Sequence, residues 1–334
     1  MKLIAMELYE YKAPFKHPIK TPKVNLKYRK SLFVCLKMSD DNSYFGESNA
    51  FETNWYNDET ISDVKSQIIS WYEVYQGKVF DSMQAVQSAL EELNDNPATR
   101  SMLVMAFYQM FNELEQFVVP YGATVSGLTD GTIQQLKATE PQRVKLKWTE
   151  DILSDVQSVK DLPFNVQIAI DANESLTDNE QNKLSILSRA DILYLEEPFA
   201  SLEQLTNYTT HSIPTVAIDE KATSKVDIIN ILRKYNVDVV VIKPFRLGGI
   251  DRVLELINDV KQMGSKVVIG GMYEYGLSRY FTAMLARYAD YPSDVTPAGY
   301  YFEQDVVEDS GKLKGGSIQF EPPTVLTSRL KRIY

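Results

Sequence analysis

The chain has 334 residues, 44% of them hydrophobic, enough for a large core and two domains. Its formal charge of −10 disfavours nucleic acid and anionic membranes as partners, so an anionic ligand has to be drawn in by local cations or a bound metal. The single cysteine, Cys35, excludes an internal disulfide and reads as a packing residue within "SLFVCLKM".

The opening "MKLIAMELYEYK" meets an acid after a few apolar residues and shows neither an apolar h-region nor a small-residue cleavage site. No later apolar run is long enough to span a bilayer. The expectation is a cytoplasmic protein, monomeric or homo-oligomeric, acting on a small molecule. Strands are predicted at "AMELYEYK", "SLFVCLKMS" and "SYFGES", then helices at about 58–75, 80–94 and 99–115. Ile61, Val64, Ile68 and Trp71 recur at helical spacing. Strands followed by helices imply an α+β unit over residues 1–116.

From residue 117 the pattern changes to short apolar strands alternating with amphipathic helices. The strands read "VVPYGATVSG", "RVKLKW", "NVQIAID", "ILYLEE", "TVAID", "VDVVVIK" and "KVVIGG". Thr177 and Glu180 form a capping-box pattern, and Gly264 stands where a helix C′ residue belongs. Charged residues end five of these strands: Lys147, Asp171, Glu196, Asp219 and Lys243, at intervals of 24, 25, 23 and 24 residues. One βα unit takes about that length, and eight need roughly 190 residues, which 117–305 supplies. The spacing predicts an α/β chain built as a (β/α)8 TIM-type barrel, with catalytic groups at the C-terminal ends of its strands. A doubly wound open sheet is the alternative fold, but no strand is followed by its glycine fingerprint.

In "RVKLKW" an extended strand puts Lys145 and Lys147 on one face and Val144, Leu146 and Trp148 on the other. Lys147 and Lys243, ending strands two and six, face each other across the predicted barrel mouth. Asp171, Glu196 and Asp219 lie on the arc between them and form an all-oxygen set suited to Mg2+, with Mn2+ as an alternative occupant. The two histidines, His17 and His211, fall outside the strand ends, so zinc is not expected, and neither is an organic cofactor. An ordinary lysine, with a pKa of about 10.4, is protonated at neutral pH. A second ammonium, a divalent cation and partial burial all favour the neutral amine, so Lys145 is expected to make Lys147 a usable general base. The metal would then stabilise the enediolate formed when the C–H beside a substrate carboxylate loses its proton.

Each motif alone has a plainer reading. "KLK" suits a solvated strand face, "DAN" an N-capped turn, and "LEEP" and "IDEK" acidic loop exits. "PFRLGGI" lacks the phosphate-loop pattern and reads as a turn into a helix. The conjunction of five charged strand ends at one interval carries the functional reading.

With "KxK", "DAN", "EEP", "DE" and "KP" at successive strand ends, the chain resembles the enolase superfamily, in its muconate-lactonizing subgroup; a Lys base paired with Mg2+ is that superfamily's known chemistry. Through "GESNAFETNWYNDET" (46–60), "GGMYEYGLSR" (270–279) and "DVTPAGYYFEQDV" (294–306), it is similar to the o-succinylbenzoate synthase family over nearly its whole length. The resemblance implies a modified barrel under an N-terminal α+β capping domain, 1–116, joined by the C-terminal tail 306–334. It implies a lyase of menaquinone biosynthesis that dehydrates 2-succinyl-6-hydroxy-2,4-cyclohexadiene-1-carboxylate to o-succinylbenzoate. Lys147 is then the base, Lys145 its electrostatic helper, and Lys243 the opposed ammonium. Asp171, Glu196 and Asp219 are the metal ligands, supported by Asn173, Glu197 and Glu220.

Trp55 and Tyr56 are expected as a lid over the substrate, and Gly271, Met272 and Tyr273 as the lining of its carboxylate or succinyl end. Thr21 and Lys23 are weaker lid candidates, and Arg279 reads as structural. One departure is Lys221, which adds a cation where the family often has a small residue. Two opposed lysines also suit an N-succinylamino acid racemase or a dipeptide epimerase. A barrel that binds an acidic ligand or metal without turnover is the third reading.

Overall fold

The computed structural model describes every residue except 22, 210 and 309. Its N-terminal part opens with a long antiparallel hairpin, β1 (Leu3–Lys20) and β2 (Asn25–Met38), extended by β3 (Ser43–Glu47). The predicted strands stop at Lys12 and resume at Ser31, yet β1 runs on to Lys20 and β2 begins at Asn25, which puts the hairpin tip near Thr21 and Lys23. Pro14 and Pro18 mask it in the sequence. Both are tolerated because, among the described residues, no outer strand pairs with β1 there, only a single backbone bond from Lys16 N–H to the Tyr301 carbonyl, and its register shifts between Pro14 and Ile19. Cys35 is buried in β2, as expected.

Helices α1 (Ile61–Tyr75), α2 (Met83–Ala89) and α3 (Pro97–Phe111) follow. Thr60 and Asp63 cap α1 reciprocally, and Ile61, Val64, Ile68 and Trp71 bury its apolar face. In α3 the buried residues run almost without a break from Ala98 to Phe107, because the helix is packed between β2, β3 and the barrel. Its closest approach is to Gly46, where any Cβ would overlap the Met102 carbonyl oxygen.

The barrel segment runs β4 (Phe117–Pro120), β5 (Gly122–Val125), α4 (Asp130–Thr139), β6 (Arg143–Lys147), α5 (Ile152–Lys160), β7 (Gln167–Asp171) and α6 (Gln181–Leu187). It continues with β8 (Leu195–Glu196), β9 (Val216–Ile218), α7 (Lys225–Lys234), β10 (Val239–Ile242), α8 (Ile250–Gln262), β11 (Lys266–Ile269) and α9 (Gly276–Ala286). Strands β12 (Lys312–Lys314), β13 (Ser317–Phe320) and β14 (Lys331–Arg332) close the chain. Seven strands, β5 to β11, pair in sequence order and all in parallel. The eighth position is reduced to a bridge: Asp294 N–H donates to the Ile269 carbonyl at 2.9 Å, and Ser293 lies against Gly122 of β5. The architecture is a modified (β/α)8 barrel beneath an α+β cap.

Three local expectations change. The predicted strand "VVPYGATVSG" divides at Tyr121, since β4 pairs antiparallel with β13 and only β5 enters the barrel. Between β8 and β9 a 3-10 turn, Leu202–Asn207, stands where the repeat would place a helix. Thr177 does cap its turn, accepting from Asn179 N–H, but Glu180 pairs with Lys183 instead of reaching back. Gly264, at φ +85°, ends α8 as expected.

Alternation along the barrel strands separates two cores. Ala169, Tyr194, Ala217, Val239, Val241 and Val268 fill the inside, while Val240, Ile242, Val267 and Ile269 face the helices. Helix α8 answers them with Val253, Leu256, Ile257 and Val260, spaced for one face. Near the C-terminus, β14 returns to the cap and pairs with β1 at Tyr9 and Glu10. Among the described residues no helix is long and apolar enough to cross a membrane.

Candidate active site

The strand ends and the cap loops enclose a cavity of about 330 Å³. Lys145, Lys147, Asp171, Glu196, Asp219 and Lys243 all line it. Parallel pairing sets Lys147 beside Asp171 and Asp171 beside Glu196, which explains why residues 24 or 25 apart in sequence become neighbours.

Each of these three strand-end ammonium groups has a carboxylate partner. Lys145 Nζ donates to Glu196 Oε2 at 2.9 Å and to Asp294 Oδ2 at 2.7 Å. Burial alone would disfavour its charge, but Asp294 and Glu196 outweigh that and raise its pKa well above the ordinary value. Lys147 Nζ donates to Asp171 Oδ2 at 2.5 Å and Asn173 Oδ1 at 2.7 Å. Lys243 Nζ donates to Asp219 Oδ2 at 2.5 Å and to the Tyr56 hydroxyl at 2.6 Å. Burial opposes the Lys243 charge too, yet Asp219 holds its pKa above the usual range. The carboxylates remain crowded. Burial pushes Glu196 well above the carboxylate range, with Asp171, Asp219 and Asp294 adding to the shift and Lys145 opposing it.

The backbone at the mouth is strained. Asn173, Glu174, Glu197 and Tyr273 adopt φ of 45°, 63°, 41° and 51°, each at a cost of about 1–3 kcal/mol for a residue other than glycine. Strain concentrated at strand ends fits a site whose side chains are aimed rather than relaxed.

The remaining sequence candidates separate by role. Trp55, Tyr56, Gly271, Met272 and Tyr273 line the cavity, as do Thr21 and Lys23 at the hairpin tip. Gly271 contributes backbone and space, since a Cβ there would meet Glu274 Oε2 at 2.7 Å. Met272 packs with Phe51 and Phe245. Glu197 turns away from the cavity, accepting from the Asp219 and Lys221 N–H groups at 2.8 and 3.0 Å and so fixing the β9 exit. Lys221 adds no cation to the cavity: its Nζ is held by Glu174 at 2.5 Å and Glu197 at 2.7 Å. Glu220 lines the cavity with Oε2 buried and unpartnered; burial and the Asp219 charge raise its pKa to about 7. Arg279 ion-pairs with Asp305 at 2.8 Å, a structural contact. Lys145, expected to act on Lys147 through its charge, is itself ion-paired with Glu196 and Asp294.

Sequence reading missed Asp294, Arg143 and Arg246. Asp294 accepts from Lys145 and, at 2.6 Å, from Arg143, whose other arm reaches the Tyr194 hydroxyl at 2.8 Å. Burial would raise the Asp294 pKa, but the two cations hold it well below the carboxylate range. The repeat contained the signal, since Asp294 follows Gly270 by 24 residues. Arg246 clasps Asp219 through its side chain at 3.1 Å and its carbonyl, and also donates to Tyr56. No motif marks it, because it becomes a neighbour of Asp219 only through the β9–β10 pairing.

Residues 132–324 match the family described as Enolase C-terminal domain-like. An o-succinylbenzoate synthase of Bacillus subtilis is 24% identical over 92% of this chain and 87% of its own length. An N-succinylamino acid racemase of Thermus thermophilus is 23% identical over 95% and 91%. A dipeptide epimerase of Enterococcus faecalis, solved with Mg and the dipeptide L-Leu-L-Tyr, superposes with a TM-score of 0.81 at 18% identity, covering 99% of this chain and all of that one. The family match spans more than half of the sequence, and it coincides with the barrel whose strand ends build this cavity. The chain therefore belongs to the enolase C-terminal domain-like family, within the enolase superfamily.

Proposed function

We propose that this protein is an o-succinylbenzoate synthase, a lyase of menaquinone biosynthesis that dehydrates 2-succinyl-6-hydroxy-2,4-cyclohexadiene-1-carboxylate. The observation that carries the reading is the inequality of the two lysines. Lys147 has a side chain 34% exposed and two hydrogen-bond partners, whereas Lys243, 7% exposed, is clamped by Asp219 and Tyr56 with Arg246 around them. One amine open to the cavity and solvent, opposite one enclosed by Asp219, Tyr56 and Arg246, suits a one-base elimination.

The chain's own residues divide the work as follows. Lys147 takes the proton from the carbon that bears the carboxylate. A ring C=C forms as the C–O bond at the neighbouring carbon breaks, and the hydroxyl leaves as water with the proton that Lys147 had taken up, which returns the amine to its starting state. Lys243 offsets the negative charge from the opposite side. Lys145, held by Glu196 and Asp294, keeps these carboxylates oriented. Trp55, Tyr56 and Tyr273 exclude water above the ring, the cap (1–116 with 306–334) selecting substrate for the barrel (117–305).

Asp171, Glu196 and Asp219 would hold Mg2+. Among the described residues no three such donors converge as a ready metal cluster, since each of these faces an ammonium. The donor chemistry nonetheless fits a hard cation: all three candidate ligands offer oxygens, burial and then carboxylate crowding raise the Glu196 pKa, and the buried Glu220 Oε2 lacks a partner. When bound, the ion supplies Lewis-acid stabilisation of a substrate carboxylate as its neighbouring C–H is deprotonated.

The test is loss of the diene's ultraviolet absorbance on adding the protein with Mg2+, abolished by a chelator. No decay in the presence of Mg2+ would refute the assignment. A racemase or epimerase is the second reading, favoured by the Thermus and Enterococcus relatives. It predicts α-deuterium exchange into N-succinyl amino acids or dipeptides in D2O, and absence of exchange retires it.

A further inference from the structure

The cap hairpin carries a charge pattern that the catalytic reading does not use. Between Glu10 and Asp40 the chain has eight Lys and Arg residues and no carboxylate. At the base of the hairpin these charges are answered: Lys37 pairs with Glu7 and Lys30 with Glu10, both at 2.9 Å, and Lys16 lies 3.5 Å from Glu303. Arg29 is buried, and Lys12 rests over the Tyr28 ring. Toward the tip compensation stops. Lys20, Lys23 and Lys27 are exposed, and among the described residues none of them has an ion pair.

That tip borders the cavity, which Thr21 and Lys23 help to line. Four lysines and seven carboxylates line the cavity, Arg143 and Arg246 pair with two of those carboxylates, and the protein as a whole carries a net charge of −10. A dicarboxylate approaching a protein of that net charge meets an unfavourable average field. Screening over about 8 Å at physiological salt means that only cations beside the mouth can offset this.

We infer that the hairpin tip is an electrostatic guide, with Lys20, Lys23 and Lys27 drawing dianionic substrates to the mouth of a protein whose net charge repels them. This rests on the proposed function only in taking the substrate to be a dicarboxylate. Because charge at the approach acts on encounter rather than on the bound complex, it governs the association rate.

The experiment is stopped-flow tryptophan fluorescence of the full chain with o-succinylbenzoate and with N-succinylphenylalanine, comparing native protein with the Lys20→Gln/Lys27→Gln double variant. Neither substituted lysine lines the cavity. The native association rate should fall steeply as salt rises from about 20 to about 300 mM. At low salt the variant should associate roughly 3–10-fold more slowly, converging with native protein at high salt, while dissociation and kcat stay unchanged. Equal association rates and salt slopes in the two proteins would overturn the inference, as would a deficit residing in dissociation or failure of both dianions to bind. Salt-sensitive, lysine-dependent binding without diene dehydration would fail the proposed function and leave the guide standing.

Discussion

Lys147 and Lys243 end strands on opposite sides of one cavity, yet the fold treats them differently. Lys147 sits at the end of β6 with a third of its side chain exposed, and its partners, Asp171 and Asn173, both come from the neighbouring barrel strand and its exit. Lys243 is held from both domains, by Asp219 and by Tyr56 of the cap loop, which itself accepts from Arg246. Each Nζ has two hydrogen-bond partners, so what separates them is exposure, and in the proposed reading exposure serves the base, which has to shed and regain a proton. A group that stabilises charge has to stay ionised and still, so burial with a dedicated counter-ion serves that role.

The largest expected effect breaks the comparison at its active end. Lys147→Ala should lower the dehydration rate by at least ~10³-fold, within the usual acid–base range, and near-native turnover would remove it as the base. Lys243→Ala should cost about 10²-fold, the scale of one preorganised charge, while Lys243→Arg recovers part of the rate. If both variants abolish turnover equally, Lys243 is exchanging protons and the two-base reading gains. Asp171→Asn should weaken Mg2+ binding by about tenfold or more, read by calorimetry; unchanged affinity would mean a wrongly named ligand. Tyr56→Phe removes the hydroxyl that Lys243 and Arg246 share and should cost roughly 3–10-fold, chiefly in kcat, because one hydrogen bond to a charged group is lost.

The smallest effect concerns pH. The folded-state pKa of Lys243 is raised above its ordinary 10.5, so its charge and the associated stability are fully present below that value and are lost only as pH rises through the higher folded pKa. A dehydration profile should therefore show no alkaline fall attributable to Lys243 below about pH 10. A Lys243-dependent limb near pH 8, absent in Lys243→Arg, would contradict the locked-cation picture.

Much of this site was legible because a barrel repeats. One interval of 23 to 25 residues, with a charged residue closing each strand, indicates which side chains gather at one face before any coordinates exist. The same regularity extends to Asp294, but the eighth strand is only a bridge, so the apolar run that would announce it is missing. Arg246 gave no signal, since its contact with Asp219 is made across paired strands after a turn of no distinctive composition. The hairpin was truncated in the sequence reading because prolines interrupt alternation, although an unpartnered strand side accepts them.

By itself the sequence determined the period of the barrel, the identity of the charged strand ends and the apolar faces that bury the helices, because these depend on residue type and spacing along one chain. Tertiary structure alone decided which lysine is exposed and which is enclosed, where Lys221 discharges its cation, and that Arg143 and Arg246 reach the site carboxylates. Those outcomes depend on partners far apart in sequence and on burial that only the packed cap and barrel create. Charge was written in the chain, but its environment was not.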